Sequence, residues 1–137
     1  MEIRNARTGD VDKLVSFLKQ TKMYNKYIDK KSIITNKILY DRESIIIAKN
    51  EAKIIGTIFL IFDPWKSHIH HFIVSENYRN NGIGTKLLAK AEKVLKKRKC
   101  TLATLSIDKG NEVVIKFYRK RNWTHLTYKS TNLEKDL

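Results

Sequence analysis

At 137 residues, with 42% hydrophobic and 31% charged positions, the chain fits one soluble domain with one core, and five Gly and one Pro argue against a linker or low-complexity tract. The 28 Lys+Arg against 14 Asp+Glu give a net charge of +14; that admits a polyanionic partner such as nucleic acid or a ribosomal surface, and follows equally from a Lys- and Ile-rich composition with no partner at all. The longest apolar run, Ile54 to Phe62, is too short to span a bilayer, no apolar signal core follows Glu2, Arg4 and Arg7, and the lone Cys100 cannot form an internal disulfide, so the expectation is a cytoplasmic protein without a membrane.

In chain order, residues 2–6 read as a short first strand, after which Thr8 or Asp10 can cap a helix whose apolar stripe is Val11, Leu14, Val15 and Leu18. Ser32 to Leu39 reads as a second helix. Ser44–Lys49 and Lys53–Phe62, rich in Ile and Phe around Asn50-Glu51, read as a hairpin. Asp63-Pro64-Trp65-Lys66 supplies a turn, and His68 to Ser75 alternates as a further strand. From Gly82 the period becomes helical, with Ile83, Leu87, Leu88, Ala91, Val94 and Leu95 on one face and Lys86, Lys90, Lys93 and Lys97 opposite. Thr101–Ile107 reads as a strand, Asn111–Lys120 as a helix, and Trp123 to about Leu133 as β-like. Central hairpins followed by strand–helix alternation predict an α/β fold: a mixed central sheet with flanking helices, in a single domain over residues 1–137.

The stretch from Val74 to Leu88 places a strand, a glycine-bearing turn and a helix N-terminus in succession. Glycine lets a backbone approach a phosphate closely, and free N–H groups at a helix start face the anion with help from the helix dipole. A dinucleotide fingerprint fails because its third glycine position is Leu87, and no Gly-Lys-Ser/Thr follows as a P-loop requires. What stands is Arg79-x-x-Gly82-x-Gly84. That pattern resembles the pyrophosphate loop of the GCN5-related N-acetyltransferases, the GNAT superfamily, Gln/Arg-x-x-Gly-x-Gly/Ala between the fourth strand and third helix. A second anchor, Asn111-x-x-Val114-x-x-Phe117-Tyr118 running to Asn122-Trp123, is similar to that family's Asn-x-x-Ala-x-x-Phe-Tyr-x-x-x-Gly-Phe stretch. Asn122-Trp123 departs from Gly-Phe, but Asn suits a left-handed turn and Trp keeps an aromatic anchor.

The resemblance implies the acyl-CoA N-acyltransferase (GNAT) fold and an acetyl-CoA-dependent N-acetyltransferase acting on a primary amine by direct attack, with acetyl-CoA as cosubstrate and no metal. It assigns cofactor binding to Phe72, Ile73, Val74, Arg79, Asn80, Asn81, Gly82, Ile83, Gly84, Thr85, Asn111 and Tyr118. The Phe72 N–H would polarise the thioester carbonyl, the Val74 main chain would hold the pantetheine arm, and Tyr118 would protonate the leaving sulfur. Tyr118 can instead complete an aromatic pair with Phe117, and Asn111 can simply cap its helix. Many relatives carry a Glu six residues before the position of Val74; here that position is His68, with His70 on the same face by alternation, so His68 is the candidate base. Histidines 68, 70 and 71 lack a neighbouring Cys or carboxylate at ligand spacing, which argues against a metal site. Cys100 among Lys97, Arg98 and Lys99 reads as incidental, since no His stands beside it. A non-catalytic acyl-CoA- or nucleic-acid-binding module on the same scaffold is the alternative reading. The acceptor stays open between a peptide N-terminus, a lysine and a small amine, with polyamines disfavoured by the net charge. Whether the chain forms a homodimer is not legible.

Overall fold

Strand β1 (Glu2–Asn5) opens the chain, and a 3-10 turn over Thr8–Asp10 leads into helix α1 (Val11–Lys19). These come from a computed structural model that describes residues 1–107, 111–124 and 133–137. Helix α2 (Lys31–Tyr40) precedes strands β2 (Ile45–Asn50), β3 (Lys53–Ile61) and β4 (Ser67–Val74). Helix α3 (Ile83–Lys97), strand β5 (Ala103–Thr104) and helix α4 (Glu112–Arg119) complete the order. The described chain divides into two compact units, Met1–Leu105 and Ser106–Leu137.

In the first unit the five strands form one sheet in the order β1-β2-β3-β4-β5. The first three pairings are antiparallel and β4–β5 is parallel, the mixed sheet that the element order predicts. The β2–β3 hairpin turns at Glu51-Ala52, with Glu51 in the left-handed region at φ 56°. In the next turn Asp63 Oδ1 accepts from the Trp65 N–H at 2.8 Å, an Asx turn that carries β3 into β4.

The apolar stripe of α1 packs with Ile34 and Ile38 of α2, Ile45 and Ile47 of β2, and Phe59 of β3. Helix α3 buries all six of its expected apolar positions, Ile83, Leu87, Leu88, Ala91, Val94 and Leu95. It crosses the sheet where β3 has no side chain: a Cβ at Gly56 would lie 3.1 Å from Leu87 Cδ1 and 3.2 Å from the Ile73 carbonyl. Gly56 is therefore there for space. Burying each such aliphatic side chain contributes roughly 1.5–3 kcal/mol, so the sheet is held from both faces.

Two expectations need correcting. Asp10 stands at the N-cap position of α1 but makes no side-chain cap bond. Its carboxylate takes the Arg7 N–H at 2.7 Å and both terminal nitrogens of Arg4, at 2.8 and 2.9 Å, because a buried carboxylate gains more from a bidentate guanidinium. Thr8 lies inside the 3-10 turn and does not cap α1. The strand expected over residues 101–107 is reduced to Ala103–Thr104. The β-like tail expected from Trp123 to Leu133 falls largely on residues 125–132, outside the described residues. Among the described residues no helix is long and apolar enough to cross a membrane.

In the second unit, Asn111 Oδ1 accepts from the Val114 N–H at 3.3 Å and caps α4. The helix ends where the Trp123 N–H returns to the Tyr118 carbonyl at 3.0 Å, with Asn122 at φ 67°. The left-handed turn expected at Asn122 is present.

Candidate active site

Beyond β4, a 3-10 turn over Glu76–Tyr78 carries the chain into Arg79, Asn80 and Asn81, all exposed. Asn80 (φ 65°) and Gly82 (φ 77°) both adopt left-handed backbone, which reverses the chain into α3. The Asn81 side-chain amide donates to the carbonyls of Tyr78 and Arg79, both at 3.2 Å, and Arg79 Nε donates to the Val74 carbonyl at 3.2 Å. The turn is thus tied back to the strand it leaves. Within α3 the Lys86 N–H closes on the Gly82 carbonyl at 3.1 Å, so the amides of Ile83 and Gly84 lie at the helix's open end. No acidic side chain stands in its first turn. A Cβ on Gly82 would meet nothing within 4 Å, so glycine serves the backbone angle there and leaves open space on that side. Open space, helix-start amides and an adjacent cation are what a pyrophosphate requires, so these residues fit that group.

The edge of β4 fits the rest of such a ligand. The Ser75 N–H donates to Ile55 of β3 at 2.8 Å. Alternation then turns the backbone groups of Phe72 and Val74 toward the other edge. Among the described residues, the strand pairing on that edge is that of β5 with Ser67 and His68, at the start of β4.

Midway along β4 the register slips. Thr57 faces Ile73 and Phe59 faces His70, so one extra residue is accommodated in β4. His71 takes the strain, at φ 45°. Its carbonyl accepts from the Oγ1 of fully buried Thr57 at 2.7 Å, and its ring meets Phe59 edge-on at 5.0 Å between centroids. Its Nε2 lies 3.0 and 2.9 Å from the two carboxylate oxygens of Asp29, a residue of the α1–α2 loop that is only 2% exposed. Asp29 also accepts from the Asn25 N–H at 2.8 Å. Sequence reading missed this pair. Strict alternation from His68 and His70 sends His71 to the opposite face, whereas the bulge keeps it beside Phe59, His70's cross-strand partner.

His68 and His70 do share a face, with ring centroids 4.3 Å apart. His68 Nδ1 shares a hydrogen bond with Thr104 Oγ1 at 2.5 Å, which leaves Nε2 for other chemistry. Burial, aided by the Lys66 charge, lowers the pKa of His68 below the ordinary histidine value. His70 falls further, to about 4, through burial and then the charges of His68, His71 and Lys37. Lys37, half-buried on α2, donates to the Leu60 carbonyl at 2.6 Å, and its own pKa is lowered by burial. The charged groups acting on this histidine pair are all basic.

The remaining expected residues belong to the second unit. Burial pushes the Tyr118 phenol up to about 12. Its ring meets Phe117 and Trp123 edge-on, at 5.4 and 6.0 Å. Both the capping role of Asn111 and the aromatic pairing of Tyr118 are therefore present as structure. Cys100 Sγ lies 3.2 Å from Ser67 Oγ and from the Leu102 carbonyl, an ordinary packed thiol. The α3 lysine row is partly neutralised, since Lys97 pairs with Glu43 at 2.8 Å and its neighbour Arg98 with Asp41 and Glu43.

Comparison with known proteins bears on this arrangement. Residues 11–123 match the model of the acetyltransferase (GNAT) family. A protein described as acetyltransferase SG1711, of Sodalis glossinidius (strain morsitans), is 26% identical over 120 residues, 88% of this chain and 84% of that protein. Among solved structures, the paia N-acetyltransferase of Thermoplasma acidophilum in complex with coenzyme A superposes with a TM-score of 0.75 at 22% identity, covering 88% of this chain and 87% of that one. Glucosamine-6-phosphate N-acetyltransferase of Arabidopsis thaliana gives 0.73 at 17% identity, covering 98% of each.

Proposed function

The chain belongs to the acetyltransferase (GNAT) family, and from that membership we propose that it transfers an acetyl group from acetyl-CoA to a primary amine by direct attack. The observation that carries the reading is the continuous strand–turn–helix from Phe72 to Thr85. It joins the part of β4 beyond the β5 pairing to a left-handed Gly82 and a helix start without acidic side chains. The neighbour solved with coenzyme A supports the same ligand class. A family match across residues 11–123 supports reading both units as one catalytic domain, which we place in the cytoplasm.

Acetyl-CoA, when bound, supplies the activated acetyl thioester. The amides of Asn80, Asn81, Gly82, Ile83, Gly84 and Thr85, with Arg79, hold the pyrophosphate by hydrogen bonds and the helix dipole. The main chain of Phe72, Ile73 and Val74 holds the pantetheine arm as an added strand would, and the Phe72 N–H polarises the carbonyl. Asn111 contributes from the start of α4. Tyr118 holds its proton to about 12, so it gives the leaving sulfur a hydrogen bond more readily than it surrenders the proton outright. His68, kept neutral by burial and Lys66, takes the amine's proton at Nε2.

The acceptor is a peptide N-terminus, a lysine or a small amine. Polyamines fit poorly, because Lys37 and Lys66 are the lysines acting on the histidine face. The test is CoA release against a panel of amines, beside acetyl-CoA binding by calorimetry. Release with at least one amine supports the proposal; binding without release from any amine favours a non-catalytic acyl-CoA-binding module.

A further inference from the structure

The pair formed by Asp29 and His71 has no part in the chemistry above, yet it is among the most deliberately buried features of the first unit. A carboxylate that is 2% exposed is costly to bury unless paired and hydrogen-bonded. Asp29 has two such partners, His71 Nε2 and the Asn25 N–H. The partners are 42 residues apart in sequence, so the contact ties two distant segments. One segment is the turn 25–29, closed by the Asp29 N–H on the Asn25 carbonyl at 2.9 Å and by the Tyr27 N–H on Asn25 Oδ1 at 2.9 Å. The other is the β4 bulge.

A left-handed backbone is disfavoured for histidine, so something must hold His71 in it. Three contacts do: Thr57 Oγ1 on its carbonyl, Phe59 against its ring, and Asp29 on its Nε2. The bulge decides which β4 backbone groups face away from β3. Without the extra residue, the parity of every position after His71 would reverse, and Phe72 and Val74 would point toward β3.

We infer that Asp29 and His71 are positioning residues, which pin the α1–α2 loop to the β4 bulge and so set the register of the Phe72–Val74 edge. The inference rests on the proposed acetyltransfer for its effect on rate, and on geometry alone for its effect on the edge. Asp29 and His71 touch neither substrate in this account. Their work is done through the backbone that follows.

The experiment is a double-mutant cycle of Asp29→Asn and His71→Ala in the full chain, with His71→Gln as the conservative variant that keeps a donor. NMR of the 15N-labelled Asp29→Asn protein should retain a dispersed, folded spectrum while the amides of Phe72, Ile73 and Val74 shift. Acetyl-CoA affinity by calorimetry should stay within about threefold, because the pyrophosphate loop is untouched, whereas kcat should fall about tenfold through lost alignment. The double variant should lose no more than the worse single one, and His71→Gln should recover part of the loss. If Asp29→Asn does not fold, Thr57→Val releases the same bulge from within β3 and is read by the same amides. Unmoved Phe72–Val74 amides would overturn the inference, as would additive losses of kcat. A wild-type protein that releases no CoA with any amine would instead sink the activity reading, and the NMR comparison would still decide the positioning role.

Discussion

The turn at the head of α3 and the bulge in β4 lie close together in sequence and are built on opposite terms. The turn is made of backbone: left-handed Asn80 and Gly82, helix-start amides, and short-range bonds from Asn81 and Arg79. The bulge is made by side chains arriving from elsewhere, Thr57 and Phe59 on β3 and Asp29 on the α1–α2 loop. A site for an invariant ligand segment can be written into local backbone, where side-chain identity matters little. The Phe72–Val74 edge that follows the bulge is set instead by long-range side-chain contacts from Thr57, Phe59 and Asp29.

The largest effect should come from breaking the backbone half. Gly82→Asp should abolish the rise in melting temperature that acetyl-CoA gives the wild type, because a carboxylate would stand against the pyrophosphate and the left-handed angle is strained for it. Gly82→Ala should be milder, costing roughly 1–2 kcal/mol of stability for the positive φ alone, since its Cβ meets open space. Thermal shift with and without ligand separates the two.

Next in size is Tyr118→Phe, which keeps the ring against Phe117 and Trp123. Turnover should drop about tenfold or more with cofactor affinity nearly unchanged, and less with a donor whose thiol leaves more easily. Equal kcat in a CoA-release assay would mean that solvent serves the leaving sulfur.

The side-chain half should break by stability first. Thr57→Val leaves the partly buried His71 carbonyl without its donor, at a cost of about 1–3 kcal/mol by denaturant unfolding. A loss below a few tenths would mean the bulge does not depend on β3.

The smallest expected effect is on the shape of the pH profile. His68 is a base only when neutral, and its lowered pKa keeps it neutral further into acid, so the acidic limb should lie below about 6.5. His68→Gln should flatten that limb, and Lys66→Gln should move it slightly upward by removing a neighbouring positive charge. A limb that His68→Gln leaves unchanged removes His68 as the base.

The same division explains what could be read in advance. The α3 face, the hairpins, the Gly82 turn and the left-handed Asn122 are local patterns, and each is where its residues imply. The Asp29–His71 pair was hidden because period-two alternation gives no sign of an extra residue, and an aspartate between Ile28 and Lys30 looks like any solvated loop position. Asp10 misled for a related reason: its spacing suits a cap, and only the fold brings Arg4 beside it. The length of β5 was overestimated because residues 101–107 alternate well enough for a strand, while only Ala103 and Thr104 pair with β4, opposite Ser67 and His68.

The central claim, that acetyl-CoA lies along β4 and over the turn into α3, is tested most directly by titrating acetyl-CoA into the 15N-labelled protein and mapping amide shifts. The account predicts the largest changes from Phe72 to Thr85, with only small ones in the β2–β3 turn at Glu51-Ala52. Saturable shifts centred on that turn and α1, or no shifts at millimolar ligand, would contradict it.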